Sequence, residues 1–153
     1  MRMTYLIKWI IIFLSVFSNS QIQAQDIVRS EQKIDNANEI HLEPFSDFPN
    51  EIDGCSCYFS ISQADLKKGL YILVNDFANL AFVKIEGKII RFELLNHDVN
   101  SNIYHYIYHD FKMEVEIIER KKVADEIVLI KGMITLTAKG KEAKQKFIGE
   151  CGC

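Results

Sequence analysis

Residues 104–117 decide the fold. Tyr104-His105-Tyr106-Ile107-Tyr108-His109 leads through Asp110-Phe111 into Lys112-Met113-Glu114-Val115-Glu116-Ile117. The second half is a strict alternation: Met113, Val115 and Ile117 point one way, Lys112, Glu114 and Glu116 the other. Side chains repeat every two residues only in a β-strand, so this stretch reads as a strand with one dry and one wet face. The tyrosine half has the same period and the aromatic content that strands favour. Outward in both directions the texture persists. Toward the C-terminus, Arg120 to Glu126 reads as a charged turn, and Ile127 to Ala138 as a long strand with Gly132 as a bulge site. Lys139-Gly140 is a tight hairpin signal, and Lys141 to Ile148 runs on to the cysteine tail. Toward the N-terminus, Leu80 to Ile85 and Lys88 to Leu95 flank Glu86-Gly87, a second hairpin signal, and Asn96 to Asn102 reads as a polar loop. Leu70 to Val74 is an apolar run of strand length, and Cys55 to Ile61 alternates again. Ser62 before and Gly69 after Gln63 to Lys68 are helix start and stop signals. No stretch sustains an apolar period of 3.6 residues. The expectation is an all-β fold: an antiparallel meander of seven to eight strands forming a small sandwich or barrel, with one short helix near 63–68.

The chain has 153 residues, 48% of them hydrophobic, with 7 Gly and 2 Pro. That excludes a disordered, collagen-like or polytopic membrane chain and leaves room for one domain. Residues 1–24 have the order of a secretory signal peptide: Arg2 and Lys8, an apolar run from Trp9 to Phe17, then polar residues ending at Ala24. The run is too short for a transmembrane helix, which needs about 20 residues. Residues 25–51 are polar and weakly patterned and read as a flexible leader, with Ile40 to Phe45 as an edge strand; 52–153 is the single β domain. Cleavage after Ala24 leaves 129 residues. Removing Arg2 and Lys8 from the 18 basic residues leaves 16 against 21 acidic ones, a net charge of −5. That balance argues against a nucleic-acid partner, which requires a basic footprint. The expected location is the periplasm or the extracellular space, with no stable membrane span after cleavage.

The four cysteines fall into two identical patterns, Cys55-Ser56-Cys57 and Cys151-Gly152-Cys153. In a strand, positions i and i+2 share a face, about 7 Å apart. Each pair therefore suits partners on a neighbouring strand, and an export signal implies an oxidising compartment in which four cysteines read as a disulfide framework. Three connectivities exist, two of which join the first pair to the second. Counting by twos from Cys55 reaches Cys57, Phe59 and Ile61. Counting from Phe147 reaches Gly149, Cys151 and Cys153. Both counts follow one apolar face, so the two strands are expected side by side with both pairs buried together. A four-thiolate site for zinc or Cu(I) and a thiol-redox role for the terminal Cys-Gly-Cys are the competing readings. A single residue between paired cysteines is tight for zinc, and the metal, if any, is left open.

Asp53-Gly54-Cys55-Ser56-Cys57-Tyr58-Phe59, the hairpin Ala81 to Lys88 and the terminal Gly149-Glu150-Cys151-Gly152-Cys153 together resemble small exported bacterial all-β proteins of unknown function. The likeness covers about residues 53–153. Its motifs are structural and imply no activity.

Tyr104, Tyr106 and Tyr108, with His105 and His109, are the candidate binding surface: either a packed stripe or an exposed aromatic platform for a glycan or protein. On a strand His105 and His109 lie about 13 Å apart, too far to share a metal. No catalytic template is present: no nucleophile elbow, no H-E-x-x-H, no phosphate loop. The sequence calls for no cofactor and favours a non-enzyme, though an enzyme assembled from dispersed residues stays open. The first functional reading is an exported binding module for a protein or envelope glycan, inhibitor-like and cross-linked by disulfides. The alternative is a metal-thiolate or thiol-redox protein built on the two Cys-x-Cys pairs.

Overall fold

The computed structural model describes residues 40–76 and 79–153. Residues 1–39, which hold the expected signal peptide and the first part of the expected leader, lie outside the described residues. The domain is a closed barrel of eight antiparallel strands in sequence order. They are β1 (Ser56–Ser60), β2 (Leu73–Asn75), β3 (Leu80–Ile85), β4 (Lys88–Asp98), β5 (Ile103–Tyr108), β6 (Phe111–Lys122), β7 (Val128–Ala138) and β8 (Lys141–Gly152). The single helix α1 (Gln63–Lys67) joins β1 to β2. Of the two closures the alternation allows, the barrel is the one formed: β8 pairs with β7 on one side and β1 on the other, which leaves no sheet edge.

Local chemistry explains the joints. Ser62 caps α1, its Oγ accepting from the Asp65 amide at 3.2 Å, and Gly69 leaves the helix at φ +68°. Glu86-Gly87 and Lys139-Gly140 both hold positive φ at both turn positions, as two-residue hairpins require. A third tight turn was not anticipated. His109 stands at φ +49° between β5 and β6, so it belongs to a turn and not to the tyrosine strand.

Three strands outrun their expected ends. β4 continues into the expected polar loop as far as Asp98, β6 continues to Lys122, and β8 continues through Gly152. In each case a partner strand supplies the pairing that composition does not reveal: Ile103 opposite Asp98, Val128 opposite Lys122, and Ser56 opposite Gly152.

The wall is dry inside and wet outside. Phe59, Leu73, Val83, Phe92, Met113, Val115, Ile134 and Leu136 fill the interior, while Lys112, Glu114 and Glu116 stand outside. Among the described residues no helix is long and apolar enough to cross a membrane. Two glycines make room at the centre. Phe59 and Phe147 meet edge to face with centroids 4.7 Å apart. A Cβ on Gly149 would strike the Phe59 ring, and one on Gly132 would lie 2.5 Å from Phe147 Cζ. Gly132 is therefore not itself the bulge. The bulge sits opposite it on β6, where pairing shifts between Ile117 and Glu119.

Residues 40–51, read from the sequence as leader, lie on the barrel. Glu43 bridges Lys84 and Phe45 bridges Tyr71. Ile40 and Leu42 pack partly buried against the interior cluster. Phe45, 4% exposed, forms a second cluster with Ile52, Val74 and Phe82 on the outer face of β2 and β3. A phenylalanine buried this deeply anchors its segment. Phe45→Ala should cost about 3 kcal/mol, read as a lower midpoint in urea with an unchanged slope.

Candidate functional site

The two ends of the barrel differ. One carries α1 and the three tight turns, with a cleft lined by Ile40, Ile85, Phe111 and Ala138 and by Glu86, Lys139 and Lys141 at two of the turns. The other carries the connections 99–102 and 123–127 and both disulfides. Cys57 pairs with Cys151 and Cys55 with Cys153, nested as the antiparallel register of β1 and β8 demands. The strands lie side by side as the parity count expects. The expectation that both pairs are buried is corrected: Cys57 and Cys151 face the interior, but Cys55 and Cys153 lie beyond the last full pairing and are exposed. With all four sulfurs in disulfides, no free thiol remains among the described residues.

Inside this cystine end is a cavity of about 50 Å³. Its floor is apolar, with Phe59, Val115 and the Cys57–Cys151 cystine. Its polar groups are Asn75, Tyr104, Tyr106 and Arg120. Tyr106 is 3% exposed, and its hydroxyl accepts a hydrogen bond from Asn75 Nδ2 at 3.4 Å. At the rim, Arg120 Nη2 donates to Asn102 Oδ1 at 3.1 Å and to the Tyr104 hydroxyl at 3.2 Å. His97 stacks on the Tyr104 ring, centroids 3.9 Å apart and planes 8° from parallel.

Two bulges place the rim residues. On β6, counting by twos from inward Ile117 would turn Glu119 inward and Arg120 outward. The extra residue, Ile118, resets the count, so Arg120 pairs with inward Ile130. On β4 the extra residue is Leu95. Beyond it His97 pairs with Tyr104, where unbroken alternation would have turned Asn96 inward. The displaced residues themselves are thrown outward: Leu95 is 67% and Ile118 66% exposed.

The five residues of the sequence-derived surface are dispersed. Tyr104 and Tyr106 face the cavity. Tyr108 lies at the opposite end, its ring against Phe92 and Phe111. His105 is on the outer wall, with Nδ1 3.4 Å from Glu114 Oε1, and His109 is in the turn with its ring edge-on to Tyr108. The structure joins two of the five and adds Asn75, His97, Asn102 and Arg120, none of which belongs to that surface. Among the described residues no group of three or more His, Cys, Asp or Glu side chains is arranged to hold a metal ion.

Burial holds the Tyr106 phenol well above its ordinary value near 10, and the hydrogen bond from Asn75 offsets part of that rise. A raised phenol favours the neutral form in the folded state. Its contribution to stability is intact below about pH 10 and is lost as pH rises beyond it. In an absorbance titration Tyr106 should ionise only as the chain unfolds. Tyr106→Phe should remove that late step while the remaining tyrosines titrate as before. No family model, curated protein or solved structure matches the chain, so the site has to be read from its own chemistry.

Proposed function

We propose that the chain is an exported binding module whose ligand site is the cystine end of the barrel. One observation carries the reading. The cystine end keeps a cavity inside the barrel that leads from exposed Arg120 past half-buried Tyr104 to fully buried Phe59, so charged, hydrogen-bonding and apolar groups converge on one space. An eight-stranded barrel is just wide enough to be filled by side chains or to hold one small ligand. Here the cavity inside the cystine end supports the second. The cross-linked wall supports a preformed site, because ligand entry then requires little ordering. The two disulfides suit an oxidising compartment, in keeping with the signal-peptide order of residues 1–24. They also weigh against the metal-thiolate alternative, which needs the same sulfurs free.

A screen of small neutral and anionic fragments by amide chemical shift tests the reading. Perturbations should cluster on Tyr104, Tyr106, Arg120 and Ile130, and Ile117→Trp, which fills the cavity, should abolish them. Hits confined to the outer wall, or no hits, would overturn it.

A further inference from the structure

We infer that the cavity takes a small carboxylate on a short aliphatic stem, with Arg120 at the rim holding the negative charge. This deepens the binding-module reading and rests on it. Three features of the cystine end support it independently.

The first is uncompensated charge. Arg120 donates only to two neutral acceptors, Asn102 Oδ1 and the Tyr104 hydroxyl. Among the described residues no carboxylate lies within ion-pair distance of it, although Arg91, Lys122, Lys131 and Lys144 each have one. A guanidinium is a planar fork built for two carboxylate oxygens, and here its bonds to Asn102 and Tyr104 both come from one nitrogen, Nη2. The second feature is a buried hydroxyl on the cavity wall. Tyr106 is 3% exposed, and its oxygen pairs with Asn75 Nδ2 at 3.4 Å, a long hydrogen bond. A hydroxyl can donate as well as accept, so an oxygen-bearing ligand in the cavity would meet a donor there. The third is size and lining. The cavity is about 50 Å³, and Phe59, Val115, Ile117 and Ile130 supply most of its wall. A cavity of roughly 150 Å³ holds benzene. One a third of that size suits a stem of about two to four carbons and excludes a long chain. The β6 bulge ties the three together, because it turns Arg120 to the inner face over this lining.

Nothing here requires a neutral ligand to be turned away entirely, so the discriminating quantity is charge. Isobutyrate, isobutyramide and N-acetylvaline should be titrated into the oxidised protein near neutral pH, with amide shifts as the readout. Isobutyrate should saturate shifts at Tyr104, Tyr106 and Arg120 and bind at least tenfold more tightly than isobutyramide. Arg120→Met should weaken isobutyrate at least tenfold with an unchanged melting temperature. Tyr106→Phe should weaken it severalfold. N-acetylvaline separates two sources of the same chemistry: tighter binding than isobutyrate assigns the site to a peptide C-terminus, weaker binding to a free acid, and either keeps the inference. Equal binding of acid and amide at the same residues would overturn the carboxylate assignment while leaving the open end as a binding site. Absence of isobutyrate shifts would overturn it as well, and the fragment screen then decides whether the site itself survives.

Discussion

Deleting Gly149–Cys153 should leave a chain that does not fold at about 37 °C. A five-residue tail rarely matters so much. Here it carries both C-terminal sulfurs and four of the five paired positions between β8 and β1, Gly149, Glu150, Cys151 and Gly152. Without them the barrel opens along one seam and gains two unpaired edges. The cystines alone account for a large part of the loss. Their sequence separations are 98 and 94, so they close nearly the same loop. In the loop-entropy account the first to form contributes about 5 kcal/mol. The second then closes only the small ring made by residues 55–57 and 151–153, for about 2 kcal/mol. The double loss of about 7 kcal/mol is comparable with the whole stability of an ordinary domain, about 5–15 kcal/mol. The same reasoning predicts strong non-additivity. Cys55→Ala with Cys153→Ala should cost about 2 kcal/mol, since the inner cystine still closes the long loop. Cys57→Ala with Cys151→Ala should cost somewhat more, because those sulfurs also fill the interior. Removing all four should exceed the sum of the two pairs. Denaturant melts of the three variants check this, and a quadruple variant no less stable than either pair would refute it.

The second large effect belongs to the glycines under the Phe59–Phe147 contact. Gly132→Ala and Gly149→Ala should each destabilise by about 3 kcal/mol or more, at the upper end of overpacking costs. The added methyl meets backbone as well as rings. At Gly149 it would lie 2.6 Å from the Tyr58 carbonyl oxygen, and at Gly132 it would strike the carbonyl of Glu116. A ring can turn aside, but a strand carbonyl in a closed barrel cannot move without opening the ladder. Phe147→Leu should therefore rescue Gly132→Ala only in part. Full rescue would show that the rings alone set the limit, and a neutral Gly132→Ala would show that the wall yields.

Much of this was legible beforehand, for physical reasons that can be named. Period-two alternation in residues 112–117, the Gly-containing turns at 86–87 and 139–140 and the Ser62 cap are local signals, and each appears where local chemistry demands it. The adjacency of the cysteine strands was legible as well, because parity along a strand survives as long as the strand is unbroken. It runs unbroken from Phe147 to Cys151 and from Cys57 to Phe59. The site was not legible for the complementary reason. Leu95 and Ile118 look like core residues, and nothing in their type announces that one extra residue has been inserted. Each silently reverses the faces beyond it, so His97, read within a polar loop, and Arg120, read within a charged turn, stand on strands and face in. Phe45 was missed because its partners, Val74 and Phe82, lie on the outer face of strands otherwise read only for their inner one.

The nested seam between β1 and β8 underlies both the stability and the open end, and stepwise reduction of the oxidised protein tests it most directly. Under limiting reductant at a pH that suppresses exchange, the exposed cystine should open first. Mass spectrometry after alkylation should then find the first label on Cys55 and Cys153 together, with Cys57 and Cys151 protected until the chain unfolds. A first product labelled on Cys55 and Cys57, or on Cys151 and Cys153, would contradict the seam, as would free thiols before any reductant is added.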